Sequence, residues 1–155
     1  MKATVKVEGL KELDKALGEL KEDMRGKALY SALHFAANPM LKEAKARAEQ
    51  APEPHQMQYG GNTVTVKPGL LKSSLKKRRL TKKEHAQGMY SAAIGIVISK
   101  KNPQKLYPRY WHFLERGTAK MPAVPFLRPA FDHNKDEAVE RFKKKLGERI
   151  DKLKG

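Results

Sequence analysis

Residues 107–131 read Tyr-Pro-Arg-Tyr-Trp-His-Phe-Leu-Glu-Arg-Gly-Thr-Ala-Lys-Met-Pro-Ala-Val-Pro-Phe-Leu-Arg-Pro-Ala-Phe. This stretch holds the one tryptophan, two of the five tyrosines, three of the five phenylalanines and four of the nine prolines. So much aromatic surface has to be covered, by a core or by a partner. The prolines restrict how. Each fixes φ and lacks a donor, so residues 121–125 are expected to be extended rather than helical. Pro129 is compatible with the first turn of a helix, where its missing N–H costs nothing. Residues 109–116 are expected to form one or two helical turns, ended by Gly117. The expected core sets Trp111, Phe113, Leu114, Phe126, Leu127 and Phe131 against a strand at 90–99 and against the first helix.

The remaining chain supplies that strand and those helices. Residues 4–7 alternate polar and β-branched side chains, as a short strand does. Leu10, Leu13, Leu17, Leu20 and Met24 recur every three or four positions, which predicts an amphipathic helix over 10–22. Gly26 is the expected break before a second helix over 27–48. That helix is alanine-rich and continues in phase through a kink at Pro39. Residues 51–62 carry two prolines, a Gly-Gly pair and little apolar content, so a mobile loop is expected there. Short strands are expected at 63–67 and 74–80, with a turn at 69–73 between them. Residues 90–99, rich in β-branched side chains, form the strongest strand pattern. Residues 81–88 would be the hairpin loop, 100–105 a further turn, and about 125–152 a last helix. The order argues for one α+β domain spanning 1–155. Its small antiparallel sheet would carry an extended basic hairpin and pack against long N-terminal and C-terminal helices.

Charge is the second constraint. The formal net charge is +16, unevenly spread. Between residues 67 and 83 there are eight basic side chains and no acid: Lys67, Lys72, Lys76, Lys77, Arg78, Arg79, Lys82 and Lys83. Residues 100–109 add Lys100, Lys101, Lys105 and Arg109, again without an acid. Such windows attract polyanions, or simply keep a surface solvated. Strand alternation would send Lys76 and Arg78 to one face, and Lys77 and Arg79 to the other. Neither pair buries cheaply, so the hairpin is expected to project beyond the core and to contact DNA phosphates or an acidic protein surface.

Residue types exclude several chemistries. There is no cysteine, hence no disulfide, thiolate metal site or cysteine nucleophile. No window approaches the roughly 20 apolar residues of a membrane span, and the N-terminus lacks the apolar run of a signal peptide. No cofactor is implied. His34, His55, His85, His112 and His133 show no metal-ligand spacing. His34 reads as a structural histidine; His55 and His85 read as solvated. Glu115 is the one acid in the aromatic stretch. It is expected to cap backbone N–H groups of the turn that follows, or to pair with Arg116 or Arg128. A hydrolase built on Glu115 and His112 would lack a complete constellation. No phosphate loop, helix-turn-helix or zinc finger is present.

Residues Trp111, Glu115, Gly117 and Thr118, followed by Pro125, Phe126, Leu127, Arg128 and Pro129, resemble a signature of the form aromatic-x-x-hydrophobic-Glu-x-Gly-Thr … Pro-Ala-x-Pro-Phe-Leu-Arg-Pro-Ala. That signature is found in the tail-component family of long-tailed bacteriophages typified by gene product ten of phage HK97. Val7-Glu8-Gly9-Leu10-Lys11-Glu12-Leu13, followed by a helix pattern, and Pro68-Gly69-Leu70-Leu71-Lys72-Ser73-Ser74-Leu75, of the form Gly-x-Leu-x-x-Ser-hydrophobic, fit the same family. The insertion at 53–67 departs from it. The resemblance implies a structural neck or tail-completion protein, located in the virion and in the host cytoplasm during assembly. It would form a homo-oligomeric ring, commonly a hexamer, that meets the tail terminator or tail tube on one side and head-completion proteins on the other. The alternative, from charge alone, is a sequence-independent nucleic-acid-binding protein.

Overall fold

A computed structural model describes residues 9–48, 53–81 and 92–154. The strand expected at 4–7, the hairpin tip with Lys82 and Lys83, and part of the 90–99 strand lie outside them. The described chain is an α+β arrangement of long helices with two antiparallel strand pairs. Contacts divide it into two compact units. Among the described residues, the first draws on 9–40, 77–81, 92–95 and 133–154, the second on 41–48, 53–76 and 96–132.

The first unit is built on helices. α1 spans Leu10–Gly18 and α2 spans Glu22–Arg47. The break therefore falls at residues 19–21, not at Gly26. Two features fix it there. The Arg25 guanidinium donates to the Gly18 and Leu20 carbonyls and closes the end of α1. Glu22 and Asp23 then open α2, where carboxylates favour the positive end of the helix dipole. Gly26 is simply carried in the first turns. Leu17, Leu20, Ala28 and Ala32 pack with Leu146 and Ile150 of α5, which spans Leu127–Lys154. The stripe of the first helix thus packs on α5 and not on the aromatic stretch.

α2 runs through Pro39 as one helix. Proline has no N–H, so the Phe35 carbonyl four residues earlier loses its helical donor. Arg141 of α5 supplies a replacement, its Nε donating to Phe35 O at 3.1 Å. Its guanidinium also lies 3.9 Å from the Phe35 ring centroid. At the preceding carbonyl, Lys77 Nζ donates to His34 O at 2.7 Å, and also to the Asn38 side-chain oxygen.

The second unit holds the sheets and the aromatic core. β1 (His55–Tyr59) pairs with β2 (Asn62–Val66) in register from His55–Val66 to Tyr59–Asn62. The loop expected at 51–62 is thus largely strand. Gly60 and Gly61 both have positive φ, 58° and 83°, as a tight hairpin turn requires. Gln56 and Gln58 donate across to the hydroxyls of Thr65 and Thr63, so polar pairs replace apolar ones. α3 (Leu70–Ser74) leads directly into β3 (Leu75–Arg79), which pairs with β4 (Ile94–Ile98). Leu80 N–H bonds Ala93 O, and Ser99 N–H bonds Ser74 O, one at each end of this pair.

Phe126 is fully buried among Ala44, Ala48, Leu71, Leu75 and Ala130, with Ile96, Ile98, Trp111, Leu114 and Leu127 around them. That matches the expected core for Trp111, Leu114, Phe126 and Leu127. Phe113 does not join it and remains 47% exposed. α4 spans only Trp111–Arg116, and the three-residue step from Trp111 to Leu114 takes its inner face. Phe131 is half-buried and is not among the side chains of this core.

Candidate functional site

The signature residues form a clamp between α4 and the start of α5. Glu115, in the last turn of α4, accepts three backbone N–H bonds. Oε2 takes those of Phe126 at 2.8 Å and Leu127 at 2.9 Å, and Oε1 takes that of Arg128 at 2.9 Å. A helix leaves its first N–H groups without partners. Here Glu115 accepts three of them, and the next residue, Pro129, has none to offer. The expected capping role therefore holds, applied to a helix start eleven to thirteen residues on. The carboxylate also complements the positive end of the α5 dipole.

The link between the two helices is held just as tightly. Gly117 has φ 75°, and its N–H bonds Phe113 O at 2.7 Å. A Cβ there would stand 2.7 Å from Ala123 N and 3.0 Å from Met121 O, so the position excludes any side chain. Thr118 and Met121 exchange backbone bonds, and Val124 N–H bonds Leu114 O at 2.7 Å. Residues 122–125 belong to no helix, as their prolines favour, and Pro125 is half-buried. Trp111 Nε1 donates to the Tyr107 hydroxyl at 3.0 Å. Burial pushes the Tyr110 phenol above its ordinary pKa. The outer face of the clamp exposes Phe113, Met121 and Val124, at 47%, 37% and 44%.

The basic segment divides by strand alternation. Lys77 is half-buried on α2, and the Arg79 guanidinium stacks 4.0 Å from the Tyr30 ring centroid. This face does not project; it lies on the helix. Desolvation, then the charge of Arg141, lowers the Lys77 pKa. Desolvation, then Lys77 and Arg79, lowers that of His34, which fits its structural reading. Lys76 and Lys72 are exposed, and Arg78 Nη1 donates to Arg79 O.

The structure adds a groove that the sequence did not delimit. Lys76 of β3 joins Lys100, Lys101 and Lys105 of the turn after β4, around Asn102 and Pro103, along an open groove of about 780 Å³ with no acidic side chain. Asn102 organises the turn. Its amide nitrogen donates to Ser74 Oγ at 3.0 Å, Ser99 O at 3.1 Å and Leu106 O at 2.7 Å, and its oxygen accepts from Gln104 N–H. Gln104 bonds both the N–H and the carbonyl of Lys67, tying the turn to the end of β2. Lys105 is held at φ 54°, a left-handed conformation that lysine rarely adopts. Tyr59 lies alongside, with Lys100 Nζ and the Arg109 guanidinium 5.7 Å and 5.5 Å from its ring centroid. The separated windows at 67–83 and 100–109 were the available signal; their meeting was not.

Among the described residues, no three histidines or carboxylates converge as a metal site would need. None of the described helices is long and apolar enough to cross a membrane. Comparisons with family models, curated proteins and solved structures give no match.

Proposed function

We propose that this chain is a structural subunit of the neck or tail-completion region of a long-tailed bacteriophage, acting by assembly and not by turnover. The observation that carries the reading is the clamp. Its signature carboxylate and glycine are both engaged in backbone geometry, so neither is available for chemistry. The clamp exposes three large apolar side chains, Phe113, Met121 and Val124, beside the charged Arg116, Lys120 and Arg128. A soluble subunit gains most from such side chains when a neighbour covers them. In a ring each subunit presents two different faces. The clamp is assigned to one of them, covered by the next copy of this chain, with the tail terminator and head-completion proteins above and below.

The test is genetic and visual. Deleting the gene should yield filled heads and separate tails, and antibody against the chain should label the head–tail junction of intact virions. Joined, infectious particles made without the chain would overturn the reading.

A further inference from the structure

The groove formed by Lys76, Lys100, Lys101 and Lys105 is a polyanion site, and we propose that its ligand is the phosphate backbone of nucleic acid, taken without regard to sequence. The inference does not rest on the neck reading; a protein that works elsewhere would carry the same groove.

Three observations support it. First, the charge is unopposed. Four lysines line one groove, no acid lines it, and none of the four takes part in a salt bridge among the described residues, although Lys100 Nζ lies 5.7 Å from the Tyr59 ring centroid. Second, the turn that carries three of them is built in advance. Asn102 makes four hydrogen bonds, Gln104 makes two to Lys67, and Lys105 is locked in a left-handed conformation. A site ordered beforehand loses less entropy when it binds. Strain at a non-glycine residue is retained where the surroundings over-determine it, often beside a functional surface.

Third, the lining favours phosphate over protein carboxylate. An acidic protein partner normally needs apolar anchors to bind usefully. The groove offers none beyond Pro103 and the lysine stems. Lysine is a point charge, whereas paired recognition of carboxylates favours arginine. The remaining source of affinity is release of condensed counter-ions, which a nucleic acid supplies because its linear charge density is high. The Lys77 and Arg79 face is a poorer candidate, since its cations are already bonded to α2 or stacked on it.

The experiment compares two variants of equal net charge, each lowering +16 by four to +12. One carries Lys76→Gln, Lys100→Gln, Lys101→Gln and Lys105→Asn, the last because asparagine tolerates the left-handed backbone. The other carries Lys11→Gln, Lys15→Gln, Lys144→Gln and Lys152→Gln, four exposed helical lysines of the first unit. Fluorescence anisotropy with a short random-sequence DNA duplex is followed against salt. The groove variant should lose affinity about 100-fold at low salt, and its log–log salt slope should shrink by about 3 to 4. The control variant should stay within about threefold of the parent. Equal losses in both variants would overturn the proposal, because diffuse charge would then suffice. Poly-glutamate that competes with DNA at equal charge, and fails equally on the groove variant, would assign the site to an acidic protein and overturn it too. If the fourfold variant does not fold, Lys100→Gln with Lys101→Gln, both exposed, carries the same test. Half the slope change is then expected, and no change contradicts the proposal.

Discussion

The cations of the two units are handled differently, and β3 shows the contrast within one strand. Lys77 reaches α2, where it donates to the His34 carbonyl beside the turn that Pro39 disrupts. Arg141 bonds the carbonyl that Pro39 deprives of a donor, and Arg79 stacks on Tyr30. These charges complete the helix. Lys76, one residue earlier, faces the groove of the second unit with Lys100, Lys101 and Lys105. The first set is bonded to helix carbonyls or stacked at about 4 Å on a ring. In the second, Lys100 alone lies near a ring, at 5.7 Å from Tyr59, and no side-chain hydrogen bond or ion pair engages the four among the described residues. Net charge counts both alike. The difference teaches that neighbouring lysines of one basic window, Lys76 and Lys77, take different roles by strand alternation.

Glu115 gives the contrast its acidic counterpart, and the largest expected effect. Glu115→Ala removes the acceptor of three N–H bonds at the start of α5 and should cost about 2–3 kcal/mol, measured by denaturant unfolding. Glu115→Gln keeps one good acceptor and should cost less. Equal losses would mean that packing and not capping holds the clamp.

Arg141→Ala comes next. It leaves the Phe35 carbonyl without a donor and removes a stacked guanidinium, at a cost of about 1–2 kcal/mol. The double change with Pro39→Ala should be less than additive, because alanine restores a backbone donor to Phe35 O. Full additivity would break the link between Arg141 and the proline. Lys77→Ala should cost about 1 kcal/mol by loss of its bonds to α2. Lys76→Ala, its neighbour, should stay within about 0.5 kcal/mol, as an exposed side chain does. Similar values for the two lysines would erase the division of β3.

The smallest effect is a pH slope. His34 has a folded pKa below its ordinary value of 6.5, from desolvation first and then from Lys77 and Arg79. Above 6.5 neither state holds the proton. As pH falls below 6.5 the unfolded chain binds it first, so stability declines until the folded pKa is passed. His34→Asn should flatten that part of a stability–pH profile. An unchanged slope would place the titration elsewhere.

Much of this was legible in local pattern. Leu13 and Leu17 marked α1, the prolines marked the non-helical link, and Gly117 marked the end of α4. Alternation sorted Lys76 from Lys77 correctly, although not where each face would lie. The errors have tertiary causes. The break at 19–21 depends on Arg25 folding back onto α1. The β1–β2 hairpin has little apolar content, and its one local signal, the Gly60–Gly61 pair, fits a loop as well as a tight turn. Phe113 stays outside because a six-residue helix buries only one face. The roles of Arg141 and Asn102 depend on carbonyls contributed by other segments, and no spacing within their own segments announces them.

The most direct measurement concerns the outer face of the clamp. Phe113→Asp alters a side chain that is 47% exposed, while the Glu115 cap and the Phe126 core remain untouched. Particles produced with this variant should be counted by electron microscopy, and the melting temperature of the purified variant compared with the parent. An unchanged melting temperature with heads and tails left unjoined is the expected result. A folded Phe113→Asp chain that still yields the normal number of joined virions would contradict the assignment of the clamp to assembly.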